Sequence, residues 1–302
     1  MAAQLRLVRG RIRAVQSIAK ITRAQELIAS SRIVKAQQRM RAAEPYAREL
    51  TRAVEAVISR STTSVRHPFT TEPERPSRAA VLILTSDQGF AGAYNANVLR
   101  ESARLRELLA ERGVEPELYV AGRKGIAWHR FRGLDMAQTW SGFSAAPRYA
   151  DAQAVTAALL EAFAGTGGGA DEIHLVSTDF VSMLTQRPKA TRLLPLQIEE
   201  TTEPPPSGPL PQYEFEPSPE VVLDALLPQY VASRIYYAML EAAASELASR
   251  RRAMKAATDN ANDLIQTLTR EANNARQAEI TQEISEIVGG ANALAAASAT
   301  SE

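Results

Sequence analysis

The residues best placed to do chemistry form the turn Thr85-Ser86-Asp87-Gln88-Gly89-Phe90-Ala91-Gly92-Ala93-Tyr94-Asn95, directly after the apolar run 79–84. A glycine-bearing turn between a strand and a helix offers backbone N–H groups to an anion, so a nucleotide phosphate would be sought here. The turn lacks the lysine and hydroxyl of a GxxxxGK[ST] loop, and Gly89 with Gly92 gives only a fragment of GxGxxG. It is therefore expected to be a structural strand-to-helix turn, with Asp87 as a cap or partner-contact residue. His67, His129 and His174 match no HxxxH or HExxH spacing, so they form no metal or triad site. Glu199-Glu200 and the pair Glu283 and Glu286 fall in a linker and along one helix face, where carboxylates are solvated charge. With no cysteine in the chain, thiol catalysis, disulfides and thiolate-bound metals are excluded. No catalytic, metal or cofactor site is expected.

From Leu5 the positions Leu5, Val8, Ile12, Val15, Ala19, Thr22, Glu26, Ala29, Ile33, Ala36, Met40 and Ala43 recur at alternating steps of three and four, with only Thr22 and Glu26 polar. This predicts a helix over 1–60, on the order of 80 Å long at 1.5 Å per residue, kinked but not ended by Pro45. A second seam runs through Leu240, Ala243, Leu247, Met254, Ala257, Ala261, Leu264 and Leu268, interrupted only by Arg250. It belongs to a helix over about 219–296, with Pro228 as a candidate break. Beyond Leu268 that seam is expected to fade, since Glu271, Ala275, Ala278, Gln282 and Ser285 continue it. Ile280, Ile284, Ile287, Ala291 and Leu294 begin a new stripe, displaced by roughly 100°. Neither terminal helix can bury a narrow stripe alone, so the two are expected to pair as an antiparallel coiled coil.

Between them, residues 78–198 alternate strand and helix signals. A buried parallel strand is expected at 79–84, a helix at 95–112 closed by Gly113, and a strand at 117–121. A helix at about 148–163, a GTGGG loop and a strand at 172–177 follow. A hairpin is expected around Met183 and 193–198, joined through Arg187-Pro188-Lys189. Residues 199–212, EETTEPPPSGPLPQ, have the composition of a flexible connector. The expected fold class is α/β: a long antiparallel coiled coil of the terminal helices with a small central, Rossmann-like α/β domain.

The net charge of +1 excludes nothing, but its distribution is uneven. Residues 1–41 carry ten Lys or Arg against the single acid Glu26, which points to an acidic partner surface for the first helix. These basic residues lack the interleaved aromatics of a single-strand nucleic-acid binder. No apolar run reaches 18 residues, so no segment spans a bilayer unaided. The Arg-rich start has the look of an organelle presequence, yet its periodicity continues past residue 40, and it is expected to belong to the mature protein.

Three motifs give the chain a resemblance to a known family. RGRIRAVQSIAKITRAQELIASSRIVKAQ (9–37), LTSDQGFAGAYN (84–95) and MKAATDNANDLI with ARQAEITQEISEIVGGANAL (254–265 and 275–294) resemble, in order and spacing, the gamma subunit of bacterial F-type ATP synthase. The resemblance implies a non-catalytic rotor shaft. Its coiled coil would enter a ring of alternating catalytic and non-catalytic subunits, and its α/β foot would meet the membrane proteolipid ring and the epsilon subunit. Rotation driven by protons would then cycle the catalytic subunits through ATP synthesis, or hydrolysis in reverse.

Carried over residue by residue, the resemblance implies that Arg276, Gln277, Thr281 and Glu283 meet loops of the catalytic subunits. It places Gln25, Arg9, Arg11, Arg32 and Lys35 against the same ring, and Tyr213, Phe215 and Glu216 at the foot. It implies neither nucleic acid nor direct membrane insertion, and a peripheral place on the cytoplasmic side of the cell membrane. Gln25 stands where the family usually has methionine, and Gln88, Phe90 and Ala91 replace its usual Arg, Leu and Cys. The chloroplast branch's cysteine-bearing insertion is absent. The competing readings are an NTP-binding α/β enzyme using the 85–92 turn and a nucleic-acid-binding coiled coil using the basic helix.

Overall fold

The computed structural model describes residues 2–60, 68–164, 169–196, 216 and 218–299. The expectations for His67, for loop residues 165–168, for the connector 199–212 and for Leu294 lie outside the described side chains. Two compact units are present, one made of Met1–Ile28 with Arg251–Glu302, the other of Ala29–Arg250. Helix α1 (Ala2–Arg60) and helix α5 (Pro219–Ala299) contribute to both.

The larger unit is built on β1 (Arg78–Leu84), α2 (Tyr94–Glu111), β2 (Glu115–Ala121), α3 (Arg123–Phe131), β3 (Gln138–Trp140), α4 (Tyr149–Ala164), β4 (Glu172–Phe180) and β5 (Gln186–Leu194). The strands form one sheet in the order β3-β2-β1-β4-β5. β1 pairs in parallel with β2 (Arg78 opposite Glu115, Leu84 opposite Ala121) and with β4, and β5 closes the edge antiparallel to β4. The sheet is covered on both faces, which is why β1 reads as an unbroken apolar run rather than an alternating one. One face packs Leu82, Leu175 and Leu194 against Val155 and Leu159 of α4 and Val231, Ile235 and Met239 of α5. The other packs Val81, Ile83 and Val120 against Val98, Leu105 and Leu109 of α2.

In this unit α1 and α5 pair directly. Ile33 and Ala36 meet Ala244, Leu247 and Ala248, while Val54 and Val57 meet Leu223 and Leu227. Rising numbers on one helix match falling numbers on the other, so the pairing is antiparallel. In the smaller unit, Leu5 and Val8 pack on Leu268 and Ala272, and the hydroxyls of Thr22 and Thr258 share a hydrogen bond of 2.7 Å. Pro45 and Pro228 both lie inside continuous helix, so no break occurs at Pro228. The architecture is that expected: paired terminal helices with a mixed central sheet.

Three local expectations are corrected. The hairpin runs through β4 and β5, its turn formed by 181–185, and Arg187-Pro188-Lys189 lies in β5 opposite Asp179, Thr178 and Ser177. Met183 is in the turn. Proline marked a turn in the sequence, but an edge strand tolerates it because one row of its backbone groups has no neighbour to bond. Leu264 is 46% exposed, and half-buried Ile265 takes its place between Ala261 and Leu268. The seam also outlasts Leu268, for Ala272 is buried and Ala275 partly so against the start of α1. Exposure becomes continuous only from Ile280.

Within the larger unit, Glu241 sits beside Asp179, which Lys189 approaches to 2.7 Å, with Arg234 and Tyr237 nearby. Burial, and then the Asp179 charge, push its carboxyl from 4.5 up to about 7. A carboxyl raised in the folded state takes up protons on folding. Its favourable contribution is thus full below the unfolded value of 4.5 and is lost as pH rises through about 7. Glu241→Gln is expected to raise the melting temperature by roughly 2–4 °C at pH 8, the gap closing as pH is lowered to 4.5. A gap that stays constant over this range in thermal melts would contradict the assignment.

Candidate functional site

The end of α5 presents an exposed apolar surface in the smaller unit. Ile280, Ile284, Ile287 and Val288 are all exposed, Ile287 at 71%. At 100° per residue these four span an arc of about 100°. Arg276 and Glu283 border one edge of that arc, Gln277 falls within it, and Thr281 lies at the other edge. All four polar residues are exposed. The Thr281 hydroxyl donates to the Gln277 carbonyl at 2.9 Å, and Ser285 repeats the pattern on Thr281. These back-bonds satisfy the hydroxyl protons and leave oxygen lone pairs facing outward. Arg276 keeps its planar fork of donors for an outside carboxylate or carbonyl.

On α1, Arg9, Arg11 and Gln25 are exposed in the smaller unit, and Arg32 and Lys35 in the larger. Among the described residues none of these four cations has an acidic partner, whereas Arg23 is paired with Glu26 at 2.8 Å. Glu216 is exposed in a bend, and Tyr213 and Phe215 lie outside the described residues.

The 85–92 turn is a different kind of place. The N–H groups that open α3 are all taken by residues following β1. Arg123 donates to Asp87 Oδ1 at 3.1 Å, Lys124 to the Ser86 carbonyl at 3.0 Å, and Gly125 to Thr85 Oγ1 at 3.0 Å. The other Asp87 oxygen accepts from Gly142 and Ser144 at 2.8 and 3.0 Å. The Asp87 carboxylate and its two neighbours thus close the N-terminus of α3 to an anion. Gly122, at φ 104°, lies so close that a Cβ would fall 2.2 Å from the Thr85 carbonyl oxygen. The turn is the expected structural one and also a hub that ties α3 and the 142–144 loop to the end of β1.

A groove of about 410 Å³ in the larger unit is lined by Arg39, Tyr46, Tyr149, Ser233, Tyr236 and Tyr237 with nearby alanines. None of its residues comes from the turn. Among the described residues no cluster of His, Asp and Glu is arranged for a metal ion. His129, with Nδ1 2.8 Å from the Gly125 carbonyl, and His174, 2.7 Å from Glu172, are buried structural residues. Burial lowers the pKa of both.

Sequence reasoning missed one polar contact, that of Arg250, which it took for a break in the seam. Arg250 is 5% exposed and bonds to the Gln88 and Gly89 carbonyls at 3.1 and 3.2 Å and to Glu246 at 2.7 Å. A charged residue at a seam position, with an acid four residues earlier, was the available signal.

Residues 4–294 match the family model described as ATP synthase. Curated relatives named ATP synthase gamma chain include that of Acidothermus cellulolyticus, 63% identical over 98% of this chain and 99% of its own length. That of Thermobifida fusca is 59% identical over the whole of both chains. The chain belongs to the ATP synthase gamma-chain family. In fold it is similar to a chain of the Euglena gracilis mitochondrial ATP synthase OSCP/F1/c-ring structure, with TM-score 0.66, 16% identity, and 97% and 95% of the two chains covered. A chain of the Tetrahymena thermophila central stalk and c-ring structure matches at TM-score 0.56 and 23% identity, covering 78% of this chain and 99% of that one. Membership in the gamma-chain family makes this a non-catalytic, central-stalk subunit of the membrane-associated synthase. Among the described residues no helix is long and apolar enough to cross a membrane.

Replacing Asp87 by Ala removes the acceptor of three backbone N–H groups and is expected to destabilise the chain by roughly 2–3 kcal/mol in denaturant titration. The isolated wild-type chain is expected to melt at the same temperature with and without millimolar Mg-ATP. A ligand-induced rise would restore the NTP-binding reading.

Proposed function

We propose that this gamma chain couples rotation of a membrane proteolipid ring to nucleotide affinity changes in a ring of alternating catalytic and non-catalytic subunits, driving ATP synthesis and, in reverse, hydrolysis. The end of α5 carries this reading: an exposed isoleucine stripe edged by Arg276, Gln277, Thr281 and Glu283 suits an apolar sleeve with polar loops at its rim. Arg276 grips a loop of a catalytic subunit through forked hydrogen bonds, and Gln277, Thr281 and Glu283 complete the contact. Arg9, Arg11, Arg32 and Lys35, which lack acidic partners among the described residues, face acidic loops of the same ring, with Gln25 beside them.

An asymmetric shaft touches three catalytic subunits differently at any instant. Each is biased toward a different affinity because the contact energies differ between its states. Functionally the chain divides into helix 1–60, an α/β foot at 78–198, the linker 199–212 and the shaft helix 219–296. The foot meets the proteolipid ring and the epsilon subunit through Tyr213, Phe215 and Glu216, and the complex sits peripherally on the cytoplasmic side of the cell membrane. Neither an NTP-binding enzyme nor a nucleic-acid-binding coiled coil finds support, since the gamma-chain family match runs through both the 85–92 turn and the basic helix.

Arg276→Ala combined with Gln277→Ala is expected to lower ATP turnover of the reconstituted complex about tenfold, equal to about 1.4 kcal/mol of barrier, with the isolated chain's helicity unchanged. Turnover equal to wild type would remove these residues from the contact. Co-purification of the catalytic, non-catalytic and epsilon subunits with the native chain tests the partners.

A further inference from the structure

Among the described residues Arg250 is the only buried lysine or arginine. A buried cation is costly unless every donor is answered, so its retention calls for a use. Its Nη2 donates to Glu246 Oε1 at 2.7 Å, to the Gln88 carbonyl at 3.1 Å and to the Gly89 carbonyl at 3.2 Å, while Nε reaches the Gly89 carbonyl at 3.3 Å. One planar guanidinium therefore holds two consecutive peptide groups of the turn after β1 and one carboxylate of its own helix. The next turn residue, Phe90, is at φ 60°, a conformation unusual for a bulky side chain that needs local support.

The same level of α5 makes two more polar contacts. Ser245 donates to the Thr178 carbonyl at 3.4 Å, near the end of β4, and Ser249 donates to the Gln186 side chain at 3.1 Å, at the start of β5. Residues 245, 246, 249 and 250 lie on one helix face. Lower down, α5 meets the sheet mainly through Val231, Ile235, Ala238, Met239 and Ala242, with Glu241 beside Asp179 of β4. Apolar contact is non-directional and resists rotation of a helix about its axis only through packing. Hydrogen bonds to fixed carbonyls resist it directly, because they weaken steeply with misalignment.

We propose that Arg250, held by Glu246, is a positioning residue for coupling: it fixes the rotational setting of α5 on the α/β sheet domain, so that twist applied to the domain passes into the helix instead of being absorbed at their junction. This rests on the central-stalk function and adds to it the point at which torque enters the shaft. Arg250 touches no reacting group, so its loss acts on the yield of coupling rather than on chemistry.

The test uses the complete synthase in proteoliposomes, with ATP hydrolysis and ATP-driven proton pumping measured on one preparation. Arg250→Met is expected to keep hydrolysis within twofold of wild type and to lower pumping per ATP at least twofold. Arg250→Lys keeps the charge beside Glu246 but cannot bridge both carbonyls. It is expected to shift the ratio in the same direction, and it decides the matter if the Met variant does not fold. In the isolated full chain, hydrogen exchange at the amides of residues 86–92 is expected to quicken at least tenfold in Arg250→Lys.

An unchanged pumping ratio, a proportional fall of hydrolysis and pumping together, or unchanged exchange at the turn would each overturn the proposal. The tip variant at Arg276 and Gln277 loses turnover itself, so the two ideas fail separately. A wild-type complex that does not pump would overturn the coupling function and this inference with it.

Discussion

Two helices too long and too narrowly striped to stand alone impose the constraint on which everything else rests. Isolated helices gain little in water, and a seam of Val, Ile, Leu and Ala becomes stable only when covered. The smaller unit answers with Val8 against Leu268 and Ala272, the larger with Ile33 against Leu247 and Val57 against Leu223 and Leu227. In the larger unit the sheet domain then uses one face of α5 as part of its own core, so Val231 and Ile235 cover the sheet while Leu223 and Leu227 of the same helix pair with α1. The domain is held to the shaft by shared burial rather than by a tether.

Polar groups placed within the apolar contact add direction to it. Thr22 meets Thr258 inside the seam, Glu26 is buried against it with Arg23 as partner, and beside the seam Arg250, paired with Glu246, bonds the turn after β1. A polar layer costs stability but penalises every register except the one that pairs it. For a shaft that carries load, one fixed register is worth more than a smoother seam.

The long-range order was legible because period and burial coincide in it. The α1 seam, including polar Thr22 and Glu26, is the buried face, and β1 is buried on both sides as its continuous apolar run implies. What was not legible depended on neighbours distant in sequence. Pro188 read as a turn until the edge position of β5 made it tolerable there. Arg250 read as a flaw until the carbonyls of a turn some 160 positions earlier in the chain came beside it. Three-residue β3 carries too few side chains to show any period. The exposed residues at the end of α5 were recognised through family resemblance, since exposure alone names no partner.

The isoleucine stripe at the end of α5 has a mechanical meaning. Branched apolar groups sliding on an apolar wall meet an energy that changes little with angle, since dispersion and area burial do not depend on direction. Hydrogen bonds from Arg276 and Gln277 change sharply over a fraction of an ångström. In the proposed function, the stripe would be the lubricated part of the bearing and its polar edge would supply the detents, so the angular positions at which rotation pauses would be set by a very small number of side chains.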